Sequence, residues 1–207
     1  MTRDLKQKAL ELRRQHILEA AARVFGERGF RGATVHDVAE AAGVADGTIY
    51  NVFANKADLL LSLLDPLAAQ TTGTPLAQPA SADTGALLEG LFRDRWNAFT
   101  PEMLAILRVV LSEALIDPEV RAAFLERIIE PALQPLERRM GAMTKIGEII
   151  PHDPKLISRT LTATFLGLLL LRLLGERRLD RPDTVTMGKI ATILAEGLVL
   201  RTQGAEL

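Results

Sequence analysis

The feature that most restricts the fold of this chain is a pair of short helical patterns joined by one glycine, between Thr34 and Lys56. The apolar residues of the first pattern share one helix face, because they follow the spacing i, i+3, i+4, i+7. They are Val35, Val38, Ala39 and Ala42. Thr34 precedes them and can cap the exposed N–H groups. Gly43 follows them, and glycine adopts the left-handed conformation of a helix C-terminus at low cost.

A second helix of about two turns is predicted from Ala45 or Asp46 to Val52. The small residues between Ala39 and Gly47 allow the two helices to cross closely, as a helix-turn-helix requires. Ile49 is expected to point inward, which leaves the residues around Tyr50 and Asn51 facing outward. A purely structural corner is the alternative, but it rarely needs an exposed Tyr-Asn pair on so short a helix.

Residues 17–60 resemble the DNA-binding domain of the TetR family of transcriptional regulators. The resemblance is carried by ILEAAARVF, GF, TVHDVAEAAGV, GTIY and K-x-DLL at the spacing of the family. It implies an all-α fold of about nine helices: an N-terminal three-helix DNA-binding domain and a C-terminal helical domain for ligand binding and dimerisation. The implied function is a homodimeric repressor that binds an inverted-repeat operator and is released by a small, largely apolar effector.

The predicted DNA-binding residues lie in and around the second helix. They are Thr34, Ala45, Asp46, Gly47, Thr48, Tyr50, Asn51 and Lys56. In the family, residues matching Thr34, Tyr50 and Lys56 grip the DNA backbone, which positions the protein without specifying sequence. The chain departs from the family at Val52, where Tyr or His is usual, and at Asp46, where Lys or Arg is frequent. We expect Asp46 to cap the helix or to accept a hydrogen bond from cytosine.

The chain divides at a stretch rich in Thr, Pro, Gly, Ser and Ala, residues 71–83, which we interpret as a linker loop. Residues 1–10 are predicted to be a basic, frayed arm, residues 11–70 the DNA-binding domain with its motif at about 34–53, and residues 84–207 the effector-binding and dimerisation domain. Helices are expected near 12–28, 55–69, 84–99, 102–116, 118–144 with an interruption around Glu130, 154–176 and 182–201.

Composition and charge are consistent with a cytoplasmic DNA-binding protein. The chain has a net charge of −1, yet residues 1–31 carry eight Lys/Arg and four Asp/Glu, so positive charge is concentrated where phosphates could approach. A solvated helix face explains this charge equally well. The absence of cysteine fits a reducing compartment. The polar N-terminus predicts no signal peptide, and the run from Leu161 to Leu174 is too short for a membrane span.

The helix predicted at 154–176 is apolar on nearly all of its faces, so it requires packing partners on every side. Pairing with a second copy would form an intermolecular four-helix bundle, whereas a central helix within one monomer is the alternative. The predicted dimer interface consists of Phe165, Leu168, Leu169, Arg172, Ile193, Leu194 and Leu198.

An effector pocket is expected in residues 84–201, because the resemblance implies one. The candidate lining residues are Arg93, Trp96, Phe99, Met103, Leu107, Glu113, Phe124, Met140, Met143 and Phe165. Ordinary helix packing is the stronger interpretation for most of them. Trp96 with Arg93 and Arg95 could instead form a surface cation–π cluster. Arg172 faces either the pocket or the dimer partner.

No pattern typical of an enzyme, cofactor site or metal site is present. His16, His36 and His152 are far apart, and neither a glycine-rich phosphate loop nor a nucleophile elbow occurs. Two further functions remain open: an all-helical carrier or enzyme that retains this fold, and a constitutive DNA-binding regulator or activator without an effector.

Overall fold

The computed structural model describes residues 3–67, 84–149, 151–179 and 184–198, and these residues are predominantly helical. They form ten α-helices and no strand, which confirms the predicted all-α class. The first seven helices are α1 (Arg3–Gly32), α2 (Val35–Ala41), α3 (Asp46–Tyr50), α4 (Lys56–Ser62), α5 (Thr84–Ala98), α6 (Pro101–Ala114) and α7 (Pro118–Phe124). A π-helical segment, Leu125–Ile129, precedes α8 (Glu130–Lys145), α9 (Pro154–Leu173), a 3₁₀ turn (Arg177–Leu179) and α10 (Thr184–Leu198).

Two compact units make up the chain. The first comprises Met1–Leu67 and Thr100–Ile129, and the second comprises Ala68–Phe99 and Glu130–Leu207. In the first unit, α1 packs on α2, α4 and α6, and α7 packs on α4. In the second unit, α5 packs on α10 and α8 packs on α9. The linker predicted at residues 71–83 lies outside the described residues.

Helix α2 begins and ends as its sequence predicts. The Thr34 side chain accepts a hydrogen bond from the backbone N–H of Asp37, so it caps the helix start. Gly43 has a φ of 63°. The N–H of Val44 then reaches back to the carbonyl of Ala39 at 3.0 Å, which closes the helix in a Schellman-type turn.

Three boundaries differ from prediction. The arm predicted to be frayed is helical from Arg3 onward, because residues 5–15 are mostly strong helix formers such as Leu, Lys, Gln, Ala and Glu. Helix α1 also continues to Gly32, with a kink at Gly29, where φ is 69°. Helix α4 ends at Ser62, and after a short turn residues 65–67 are helical again, while the end predicted near Ala69 lies outside the described residues.

The interruption expected near Glu130 is present as the π-helical segment. Pro131 lacks an N–H group and cannot extend the ladder of i→i−4 hydrogen bonds, so the backbone changes its winding just before it. Pro135 is accommodated inside α8.

Ion pairs connect distant parts of the first unit. Arg127, on the π-helical segment, donates to the Asp58 carboxylate of α4 and to the Ser62 hydroxyl at 3.2 Å. Arg14 of α1 pairs with Asp65 at 2.5 Å. Arg31 pairs with Glu113 of α6 at 3.2 Å. These ion pairs connect α6 to α1 and the π-helical segment to α4, the helices that flank the helix-turn-helix.

The left-handed turn gives a stability prediction. Gly43→Ala should lower the free energy of unfolding by roughly 1–2 kcal/mol, because an alanine there is strained by its backbone conformation. An added Cβ meets no atom within 4 Å, so steric conflict does not contribute.

Gly26→Ala is the matched control, since Gly26 is helical and exposed, and its added Cβ is also free of contacts. It should raise the free energy of unfolding by roughly 0.5–1 kcal/mol. Chemical denaturation of both variants measures the difference, and equal effects would contradict the assigned role of Gly43.

Candidate nucleic-acid interface

Helix α3 is five residues long, and one buried side chain fixes it to the unit. Ile49 is 1% exposed and is the buried residue of this helix. Helix α3 packs against α2, whose Val38 and Ala39 are buried. A helix held by one inward side chain leaves its remaining surface available for contact.

The outward surface of α3 carries the residues predicted to contact DNA. Tyr50 is 57% exposed, and Asn51, the C-cap residue, is exposed beside it. Gly47 is exposed and Thr48 is half-buried. This face therefore offers a phenol, an amide and a hydroxyl, which can bind base edges or phosphates in a major groove.

Thr34 caps α2 through a reciprocal hydrogen-bonding arrangement with Asp37. The Asp37 carboxylate accepts from the Thr34 N–H and from its hydroxyl, both at 2.7 Å. The hydrogen bond from the hydroxyl, followed by the backbone bond and the nearby charge of Arg28, lowers the pKa of Asp37. Since the hydroxyl proton is used inside the motif, a phosphate contact by Thr34 requires it to give up this bond.

Asp46 does not cap α3, so that part of our prediction was wrong. Asp46 is the first residue of the helix, and Ala45 occupies the N-cap position without a side-chain hydrogen bond. The Asp46 carboxylate instead lies 3.0 Å from Nδ1 of His36, on α2. The hydrogen bond and the charge of Asp46 raise the pKa of His36. A protonated His36 would offset the acidic charge that Asp46 places on this face.

Lys56 lies at the start of α4, half-buried, with its amino group 4.3 Å from the centre of the Phe30 ring. Burial is the largest cause of its lowered pKa, although the carboxylates of Glu113 and Asp37 oppose that effect. The N-terminus of a helix is unfavourable for a cation. A phosphate bound there would compensate both the helix dipole and the lysine charge.

Several of these contacts could not be predicted from local patterns. The pairs His36–Asp46, Arg28–Asp37 and Arg127–Asp58 join residues 9 to 69 positions apart. The two pairs with the smaller sequence separations have a weak signal in the sequence, because opposite charges on adjacent helices of a tight motif are expected to meet. The pairing of Arg127 depends on tertiary packing alone.

In the second unit, an aromatic cluster surrounds Phe165 of α9. Its ring lies 5.5 Å from that of Phe92, 6.1 Å from that of Trp96 and 5.9 Å from that of Phe99. Trp96 is 4% exposed, so the alternative of a surface cluster with Arg93 and Arg95 does not hold. Its cation partner is Arg172, whose guanidinium lies 5.2 Å from the ring centre and donates to the Phe99 carbonyl at 3.3 Å.

The residues predicted to line an effector pocket are distributed over both units. Met103, Leu107, Glu113 and Phe124 belong to the first unit, and there Glu113 pairs with Arg31. In the second unit, Met140 and Met143 are fully buried, and Arg93 is exposed and paired with Glu89. Phe165 lines a narrow cleft of about 20 Å³.

The first unit holds a larger apolar groove of about 280 Å³ among α1, α4 and α6. Its walls include Phe25, Leu60 and Ile106, and its charged residues are Arg23 and Glu102. None of our predicted pocket residues lines it. Sequence reasoning missed this groove because these residues follow ordinary core spacing.

Comparison with known proteins agrees with this geometry over most of the chain. The family described as bacterial regulatory proteins, tetR family, matches residues 17–63, and the C-terminal domain of AefR-like transcriptional repressors matches residues 96–192. The transcriptional repressor AcnR of Corynebacterium diphtheriae is 30% identical over 146 residues, which are 70% of this chain and 73% of that protein.

Two further similarities differ in how much of the chain they cover. The transcriptional regulator TtgR of Pseudomonas putida is 51% identical over 67 residues, which cover 32% of this chain and 31% of that protein. The crystal structure of the regulator FadR from Bacillus subtilis has a TM-score of 0.71 at 22% identity, and the match covers 88% of this chain and 98% of that one. This second similarity shows a shared fold.

Replacing Tyr50 tests the exposed face of α3. Tyr50→Ala should weaken binding to the genomic DNA fragments that the wild-type chain selects by at least about tenfold, since one hydrogen bond to a charged phosphate is worth about 1.5 kcal/mol or more. Thermal unfolding should stay unchanged because the side chain is exposed. Fluorescence anisotropy at fixed salt measures the affinity, with Thr160→Ala, an exposed position on α9, as control.

The His36–Asp46 pair predicts a pH dependence of DNA binding. The raised pKa of His36 means that the folded chain favours its protonated form, so the pair is fully charged below the ordinary histidine pKa and is lost as pH rises through the raised one. Between pH 6 and 8, DNA affinity should therefore fall by about fivefold, the effect of removing one positive charge near a phosphate.

His36→Gln should remove most of this pH dependence, while His152→Gln, an exposed histidine in the second unit, should retain it. Anisotropy titrations at constant ionic strength measure both variants. An unchanged pH profile in His36→Gln would show that Asp46 does not act on DNA through His36.

Proposed function

Since the chain belongs to the TetR family of bacterial regulatory proteins and is a DNA-binding transcriptional repressor, we propose that it acts as a cytoplasmic homodimer on an inverted-repeat operator. A small effector, bound by the second unit, would release it from DNA. The observation that carries the DNA-binding part is the exposure of Tyr50 and Asn51 on a helix whose inward residue, Ile49, is buried.

An exposed apolar face on α9 supports the homodimer. Leu170 and Leu171 are 49% and 48% exposed, and Leu174, directly after the helix, is 75% exposed. On α10, Ile193 is 70% exposed. Large apolar side chains on two long helices are typical of a protein interface. A second copy with the same face would cover them in a four-helix arrangement.

The face differs in part from the interface that we predicted. Leu169 is fully buried and Phe165 is 7% exposed, so both belong to the core of their own unit. Arg172 is engaged with Trp96 and Phe99. Leu168, Leu194 and Leu198 are half-buried, and Ile193 is the predicted interface residue with the greatest exposure.

Helix α9 is also long and apolar enough to cross a membrane by length and composition. Its contacts favour a protein environment, because it packs on α8 and its Arg159 pairs with Glu137 at 2.9 Å. The regulators of this family are soluble DNA-binding proteins. We therefore assign the exposed leucines to a second copy of the chain rather than to lipid.

Signal transfer to the DNA-binding helices would use the ion pairs of the first unit. Arg127 donates to one carboxylate oxygen of Asp58. The other oxygen accepts a hydrogen bond from the N–H of Ala54, just before α4, at 2.7 Å. Glu113 holds Arg31, which precedes the cap of α2. A movement of α6 or of the π-helical segment would thus change the positions of both elements that flank α3. An effector must bind the two arrangements unequally to drive such a change.

A constitutive regulator is the second candidate, and the narrowness of the cleft at Phe165 favours it. A volume of about 20 Å³ accommodates about one water molecule. The carrier or enzyme alternative has less support, because relatives in this family are regulators. Within the described residues, no group of three or more His, Asp or Glu side chains could hold a metal ion.

Selection of genomic DNA fragments by the full chain tests the proposed function. The bound fragments should share an inverted repeat, because a two-fold dimer presents two copies of α3. Ile193→Glu should shift sedimentation toward the monomer and reduce affinity for the full repeat by at least about a hundredfold, since simultaneous binding of the two half-sites is lost. Its affinity for an isolated half-site should change little.

Leu115→Glu is the matched control, because Leu115 is 81% exposed but belongs to the first unit. It should remain dimeric and bind the repeat normally. Fragments without any two-fold symmetry, or a wild-type chain that sediments as a monomer when bound, would contradict the proposal.

A further inference from the structure

The cleft beside Phe165 contains a positive charge, that of Arg95, which no carboxylate of the described residues neutralises. It is apolar over most of its wall, which includes Leu91, Phe92, Leu136 and Leu161. Arg95 and Thr162 are its polar residues. Arg95 is half-buried, and burial lowers the pKa of its guanidinium.

Two other arginines of the second unit, Arg93 and Arg159, have carboxylate partners. Arg93 lies 3.7 Å from Glu89 and 3.6 Å from Asp94, and Arg159 pairs with Glu130 and Glu137. Arg95 has no carboxylate or hydrogen-bond acceptor among the described residues. An unpaired cation against an apolar wall is unfavourable, and a bound anion would compensate its charge.

The same region has unused hydrogen-bond donors. Trp96 Nε1 and Arg172 Nε are buried and have no acceptor in the described part of the chain. Both residues meet near Phe165: the indole packs edge-to-face on its ring, and Arg172 stacks on the indole. The surroundings of Phe165 therefore have an excess of donors and positive charge, which a ligand rich in acceptors would satisfy.

We propose that this cleft binds a small amphipathic anion, an acyl-type carboxylate, with its head group on Arg95 and its chain against Phe92 and Phe165. This proposal rests on the proposed effector role of the second unit and specifies the class of ligand. A guanidinium binds a carboxylate through two parallel hydrogen bonds, which supplies both affinity and orientation. The larger groove in the first unit has no such preference for an anion, because its charged residues, Arg23 and Glu102, have opposite signs.

The chain must repack to admit such a ligand. The cleft has a volume of about 20 Å³, so an acyl chain enters only when Phe165 or its neighbours move. Binding is therefore coupled to a rearrangement of the aromatic cluster. The coupling makes Trp96, the single tryptophan of the 207 residues, a direct reporter of occupancy.

Fluorescence titration of the full chain with decanoate, decanol and decyltrimethylammonium tests the proposal, each below its micellar concentration. Decanoate should change the emission of Trp96 and bind at least about tenfold more tightly than decanol, whereas the cation should bind weakest. Arg95→Met should abolish the preference for decanoate over decanol, and Arg95→Lys should keep part of it.

Arg93→Met is the matched control, because Arg93 lies two positions away but is exposed and paired. It should retain the preference. Equal affinity for decanoate and decanol in the wild-type chain, or an unchanged preference in Arg95→Met, would overturn the proposal. So would the absence of binding by both fluorescence and calorimetry.

The two proposals fail in different ways. DNA selected as an inverted repeat, without decanoate binding, would leave the regulator intact and reject the anion site. Decanoate binding that depends on Arg95 but leaves DNA affinity unchanged would support the site and reject its role as the effector site. Thermal unfolding of each variant shows whether it is folded. The unfolding temperature of Arg95→Met should be no lower than that of the wild type, because the substitution removes an uncompensated, partly buried charge.

Discussion

The angle between α2 and α3 is the constraint on which the DNA-binding surface depends. Two local features set it: the left-handed backbone at Gly43 and the burial of Ile49. The first turns the chain within one residue, and the second holds the five-residue helix against its neighbour. So short a helix has little stability of its own. Its exposed residues keep their positions only because the surrounding helices define the turn.

The first unit extends beyond the helix-turn-helix, because α6 and α7 pack with it. Glu113 and Arg127 provide the polar part of this packing, and both reach residues next to helix starts that border α3. Helix starts are suitable points of control, since a small displacement there changes the direction of a whole helix. The π-helical winding positions Arg127, and such segments often occur at functional sites.

Local signals predicted the motif and failed where tertiary contacts decided the outcome. Thr34, Gly43 and the i, i+3, i+4 spacing each act within a few residues, so sequence was sufficient to locate α2. The role of Asp46 was misjudged because its partner, His36, belongs to another helix. Trp96 was predicted to line the effector pocket, with a surface arginine cluster as the alternative. It is buried instead, and Arg172, 76 positions away, lies over its ring. The exposure of Tyr50 and the family resemblance followed from sequence alone, but the unpaired state of Arg95 required coordinates.

The ion pairs Arg14–Asp65 and Arg127–Asp58 are partly shielded from water, whereas contacts between a protein surface and phosphates form at a boundary that salt ions can reach. Added electrolyte screens the second kind much more strongly, and it also removes the entropy gained when counterions leave DNA. Ionic strength is therefore a selective tool for this molecule. It detaches the protein from nucleic acid while the internal arrangement of the first unit persists.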